Sequence, residues 1–241
     1  MRRVNATFLI GLVVSCVAVF THKADTKSTK IDKDGYILEW LILGPIRDTG
    51  DGAAAIKIDS IKKAGKGPAG DLQPREGDTM ILGPKNEKLT WERINFQELV
   101  DTGDIPAPAV GGTNLDRKVW GGAAVDNACA YLVIYLFYKK GDKVEYFLGS
   151  DGTVKVWLNG EEIWFNEVKR AWGGDADKHS GTVEPNSWNT YTVQICETGG
   201  SWALTVKDLT GIDDVSTNPD VFPVDLSGKL PATWGFIKSK Y

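Results

Sequence analysis

Asp175, Asp177 and His179 alternate through a glycine-rich stretch, and side chains so spaced offer oxygen and nitrogen ligands to a metal. The run begins like a calcium loop. Ser180, however, stands where the sharp-turn glycine belongs, and no glutamate closes the loop at its twelfth position. The pattern is that of a solvated acidic loop, with structural calcium as its functional alternative. His179 is the only histidine of residues 36–241, which excludes a zinc site built from several histidines.

Two triplets, Asp48-Thr49-Gly50 and Asp101-Thr102-Gly103, spell the motif of an aspartic protease. That chemistry needs two aspartates facing each other and sharing a proton. Here each triplet is followed by another aspartate, Asp51 and Asp104, where a small residue is required. The two are also too close in sequence to belong to separate lobes, so both read as glycine turns. The chain has no serine elbow, no phosphate loop and no dinucleotide fingerprint after a strand. A glycosidase carboxylate pair is defined in space rather than in sequence, and nothing singles one out. We read the chain as a non-enzyme that needs no cofactor.

Aromatic rings are the other chemistry on offer. Trp157 and Trp172 can stack on sugar faces, with Asp175 and Asp177 accepting hydroxyl hydrogen bonds. Trp157 stands in a strand whose alternation is clear: Val154, Val156 and Leu158 share one face, Thr153, Lys155 and Trp157 the other. The aliphatic face points into a core. Trp157 then lies either under a covering loop or open to a ligand.

That strand is the middle of residues 144–164, read as a meander with reversals at Gly149–Gly152 and at Asn159-Gly160, the latter a type I′ turn sequence. Other strands are predicted at 36–44, 89–96, 129–138, 190–197 and 202–208, with one short helix at 53–63. Long loops are predicted at 66–78, 103–114 and 166–181. With 27 glycines, 10 prolines and nine tryptophans among 241 residues, short punctuated runs dominate over helical periods. The fold class is therefore all-β, an antiparallel sandwich with long loops and little helix.

Residues 1–20 carry the marks of an export signal: Arg2 and Arg3 ahead of an apolar stretch too short to be a typical membrane span. Val13-Val14-Ser15-Cys16 is similar to a bacterial lipobox, making Cys16 a lipidation candidate beside plain cleavage near Ala18 or an uncleaved anchor. All three place the protein outside the cytoplasm, touching membrane only through this segment. Residues 21–35 form a polar tether, and 36–241 a single domain ending in a tail, about 209–241. The net charge of −4, with no basic patch interleaved with aromatics, argues against a nucleic-acid partner. Cys129 lies on a strand apolar on both faces, and Cys196 follows Thr192 and Gln194 on an outward face. The expectation is two free thiols.

Residues 40–45 (WLILGP), 149–160 (GSDGTVKVWLNG) and 186–202, with Asn186-Ser-Trp-Asn and Gly199-Gly-Ser-Trp202, together resemble the galactose-binding-like β-sandwiches. These jelly-roll modules occur on exported bacterial surface proteins and beside glycoside hydrolase domains. The resemblance implies a jelly roll and, in many such modules, carbohydrate binding. The expected function is a non-catalytic exported module for carbohydrate. Its alternatives are a structural subunit of a surface layer or filament contacting neighbouring surface proteins and, last, a glycoside hydrolase-like enzyme.

Overall fold

A computed structural model describes residues 30–96, 120, 125–200 and 202–222. The export signal with Cys16, most of the tether, the second Asp-Thr-Gly triplet and the end of the tail lie outside the described residues.

Twelve strands are present among the described residues: β1 (Glu39–Ile46), β2 (Thr79–Leu82), β3 (Glu87–Thr90), β4 (Glu92–Asn95), β5 (Ala128–Tyr138), β6 (Lys143–Ser150), β7 (Thr153–Leu158), β8 (Glu161–Asn166), β9 (Asp177–Thr182), β10 (Ser187–Glu197), β11 (Leu204–Asp208) and β12 (Asp214–Ser216). All ladders are antiparallel. A seven-stranded sheet runs β4-β1-β5-β10-β7-β8, with β12 also on β5, and faces a three-stranded sheet β11-β6-β9. The all-β sandwich expected from composition is what forms. The helical elements named among the described residues are α1 (Gly52–Ala55), α2 (Ser60–Lys63) and two 3₁₀ turns.

Between the sheets lies the main core. Ile42, Leu132, Ile134, Val154, Val156, Leu158, Val193 and Ile195 meet Tyr146, Leu148, Leu204 and Val206. The aliphatic face of β7 is thus where its alternation put it. The far face of the large sheet is not open to water, however. Leu41, Leu43, Tyr131, Val133, Tyr135 and Trp157 pack there under Ile61, Ala69, Leu82 and Trp91. The molecule therefore has three layers, and the large sheet is buried on both sides. That is why β1 and β5 read as unbroken apolar runs.

Several expectations are corrected. The meander is half a meander: β6 and β7 lie in different sheets, so Gly149–Gly152 is an arch between layers. Of its two reversals only β7–β8 is a hairpin, with Asn159 and Gly160 both at positive φ, 50° and 84°, as a type I′ turn requires. β10 and β11, either side of Gly199 and Gly200, also belong to different sheets. The helix expected at 53–63 is two single turns: the first ends at Ala55, and Asp59 caps the second through the Ile61 and Lys62 amides. β1 runs on through a cis Gly44–Pro45 bond to Ile46. The 89–96 run is two strands parted at the fully buried Trp91. The end of the 166–181 loop, from Asp177 on, is β9.

The cysteines are the largest correction. Cys129 and Cys196 are directly opposed across the β5–β10 ladder, with Cα atoms 4.0 Å apart, and form a disulfide. Thr192, Gln194 and Cys196 do share a face, but it is the one covered by the 52–72 segment, and all three are buried. Ala55 and Ile56 lie over the disulfide.

Candidate functional site

Trp157 projects from β7 away from the inter-sheet core, into the layer formed by residues 47–91. It is 7% exposed. The 3₁₀ turn at Ala69–Asp71 covers it so closely that a Cβ on Gly70 would lie 2.9 Å from Trp157 Cβ and Cγ. The ring is not sealed off. It forms part of the wall of a cleft of about 560 Å³, together with Lys57, Ile58, Asp59, Lys62, Lys63, Pro68, Lys155 and Glu162.

Lys155 links this cleft to a second ring. Its ammonium lies 4.7 Å from the Phe165 ring centre and 5.7 Å from that of Trp157, within cation–π range of both. Glu162, 3.6 Å away, is its ion-pair partner. Phe165 is 38% exposed, so one apolar ring at the edge of the cleft stays open to solvent. Neither Phe165 nor the lysines of α2 were singled out from sequence. In a hairpin counted straight back from Asn159-Gly160, Lys155 faces Trp164. A bulge between Val156 and Trp157 moves Phe165 opposite Lys155 instead.

The other residues expected at a site lie elsewhere. Trp172, 38% exposed, sits in the loop before β9, where a Cβ on Gly174 would lie 3.4 Å from its ring. Asp175 accepts a hydrogen bond of 2.9 Å from the Tyr36 hydroxyl. Burial and that carboxylate push the Tyr36 phenol up to about 12. Asp177 forms an ion pair with Arg170, which also donates to Ser150 Oγ at 2.9 Å. These three residues belong with the three-stranded sheet, whereas Trp157 is on the far side of the large one. The structure does not bring the two groups together.

His179 faces inward from β9. Its Nε2 is 2.8 Å from the Tyr191 hydroxyl, and its ring stacks on Tyr146 at 5.4 Å. Burial pushes the imidazole down to about 4. Among the described residues no group of three or more His, Cys, Asp or Glu side chains is arranged to hold a metal ion. Asp48 of the first triplet lies in the irregular segment after β1, with Asp48 and Gly50 both at positive φ and an ion pair to Lys85.

A second cleft, of about 310 Å³, opens between the 48–64 segment and the β2–β3 hairpin. Ile58 and Ile81 line it and are 41% and 58% exposed. A third, of about 370 Å³, lies along the β8–β9 edge beside Glu161, Glu162 and Lys143.

No protein-family model matches the chain, and no curated protein does. Solved structures with a distant likeness include the PA14 domain of the antifreeze protein MpAFP, at 13% identity and a TM-score of 0.31 over 40% of this chain and 52% of that one. The PA14 sugar-binding domain of an RTX adhesin matches at 12% identity and 0.29, over 38% and 52%. The β-glucuronidase of Ruminococcus gnavus matches at 10% and 0.34, over 74% of this chain and 30% of the enzyme. The chain thus spans about half the length of the two PA14 structures. At such identities and TM-scores, function has to be read from the chain's own side chains.

Proposed function

We propose that this is a non-catalytic, exported binding module for carbohydrate, and that its ligand lies in the cleft between α2 and the β7–β8 hairpin. One observation carries the reading: the half-exposed Phe165 ring and the Trp157 edge flank Lys155 beside an open, polar-rimmed cleft. An exposed ring offers the apolar face that a sugar's C–H groups stack on, and the lysines and Glu162 can hydrogen-bond its hydroxyls. Trp172, with Asp175 in its loop and Asp177 at the start of β9, enters the proposal as a separate second contact.

No catalytic step belongs to this reading. Asp151, pushed up to about 6 by burial and then by the Glu197 charge, has the character of a glycosidase acid. Yet Glu197 is 1% exposed and accepts from the Thr198 and Gly199 amides, and neither carboxyl lines the three clefts above.

A glycan array followed by titration calorimetry tests the proposal. Phe165→Ala lowers affinity for the retained glycan by about 5- to 30-fold, on the order of 1–2 kcal/mol, and leaves the melting temperature nearly unchanged. Trp157→Ala is the poorer probe. Its ring is part of the core under Gly70, so truncation costs about 3–5 kcal/mol of stability as well. A loss with Trp172→Ala and none with Phe165→Ala moves the site to the other side of the molecule. An array that retains nothing ends the carbohydrate reading. The structural-subunit alternative rests on the exposed Ile58 and Ile81, and concentration-dependent light scattering would reveal it.

A further inference from the structure

We infer that the glycan taken by this cleft is anionic, one whose sugar rings bear carboxylate or sulfate groups. The inference rests on the carbohydrate reading just given and deepens it. Four lysines line the cleft, Lys57, Lys62, Lys63 and Lys155, against two acids, Asp59 and Glu162. This concentration of positive charge occurs on a chain whose net charge is −4.

The acids do not cancel the lysines. Asp59 is consumed by the fold: it accepts from the amides of Ile61, Lys62 and Ala69 and from the Tyr131 hydroxyl. Those donors fix its carboxylate at the start of α2, where it caps the helix and forms no ion pair with a lysine among the described residues. Glu162 is matched by Lys155 at 3.6 Å, and Lys57 by Glu167. Lys62 and Lys63 have no ion-pair partner among the described residues. Two exposed lysines of the last turn of α2 are therefore left on the cleft wall without an ion-pair partner, Lys63 standing between this cleft and the second one.

The remaining walls select the ligand's other half. Ile58, Pro68 and the Trp157 edge are apolar, and Phe165 adds an exposed ring past Lys155. A small inorganic anion has no use for such walls, and a neutral sugar accepts hydrogen bonds from Lys62 and Lys63 but leaves their charge unmatched. An acidic sugar uses both. Its ring carbons pack on the apolar walls while its carboxylate or sulfate meets Lys62 and Lys63. Because these lysines are exposed, the attraction is screened over about 8–10 Å at ordinary salt, and binding must weaken as salt rises.

Affinity electrophoresis of the full chain tests this, with gels containing alginate (a polyuronate), heparin (a sulfated glycan), neutral galactan, neutral hydroxyethylcellulose or single-stranded DNA. We expect retardation by alginate or heparin and none by the neutral polymers or DNA. Lys62→Ser/Lys63→Ser should lower that affinity at least tenfold with an unchanged melting temperature. Lys178→Ser, on the three-stranded sheet, should leave it as it is. Alginate without heparin assigns carboxylate, and heparin without alginate assigns sulfate; either supports the proposal. Retention by a neutral polymer that depends on Phe165 but ignores Lys62 and Lys63 overturns the anionic assignment and leaves the carbohydrate reading standing. Equal, lysine-dependent retention by DNA overturns it in favour of unselective polyanion binding. No retention by any glycan overturns both.

Discussion

Replacing Cys129 and Cys196 together by alanine lowers the stability of the domain by about 4 kcal/mol. The bond closes a loop spanning 67 positions, and the chain-entropy relation for a loop of that length gives a figure of this size. Local packing works in the same direction. Both sulfurs lie under Ala55 and Ile56, so the double alanine variant leaves a small void in a region with no room for water. For a domain of roughly 200 residues, each kcal/mol shifts the melting temperature by about 2–4 °C, so a drop on the order of 10 °C is expected. Thiol titration under denaturing, non-reducing conditions should find no reactive sulfur from this pair until a reductant is added. Two free thiols, or a double variant as stable as the parent, would exclude the bond.

The cysteine error and the success with β7 share one cause. Alternation along a strand tells which side chains share a face, and the pairing of Val154, Val156 and Leu158 inside with Lys155 and Trp157 outside was legible for that reason. It does not tell what covers the face. Thr192, Gln194 and Cys196 look like a solvated set, yet they lie beneath α1, α2 and the 3₁₀ turn, a layer supplied by residues far earlier in the chain. Sheet membership is hidden in the same way. Gly149-Ser-Asp-Gly152 has the composition of a hairpin turn, and a four-residue arch between layers asks for the same residues. The choice is made by which strands find partners: β6 pairs with β9 and β11, β7 with β8 and β10. The candidate site was half legible. Trp157 and Lys155 stood out from their strand. Phe165 reaches Lys155 only through a bulge, and Lys62 and Lys63 reach the cleft only because residues 47–91 fold over the sheet, neither of which has a signature in local sequence.

The contribution of His179 to the stability of the domain is lost as pH drops from about 6.5 to about 4. Unfolded, an imidazole titrates near 6.5; folded, burial among Tyr146, Trp164 and Tyr191 holds it down to about 4, and the Asp177 charge offsets this only in part. Above about 6.5 the ring is neutral in both states and the stabilising contribution is fully present. Between the two values the unfolded chain binds a proton that the folded one refuses, so stability is lost as pH falls. By about pH 4 the loss amounts to about 3 kcal/mol. Asp151 has the opposite sign. Its carboxyl is raised to about 6 in the fold, so its contribution is present at low pH and disappears as pH rises from about 4 to 6. The two windows overlap, and the parent curve alone shows only their sum. The difference between parent and His179→Phe isolates the histidine, because Asp151 is common to both. That difference should change by about 2–3 kcal/mol between pH 7 and pH 4 in urea titrations, with the variant gaining relative to the parent as acid is added, whatever offset the lost Tyr191 hydrogen bond leaves at neutral pH. A pH-independent difference would mean that His179 takes up its proton in the fold as readily as in water, and that the cluster around it is not closed to solvent.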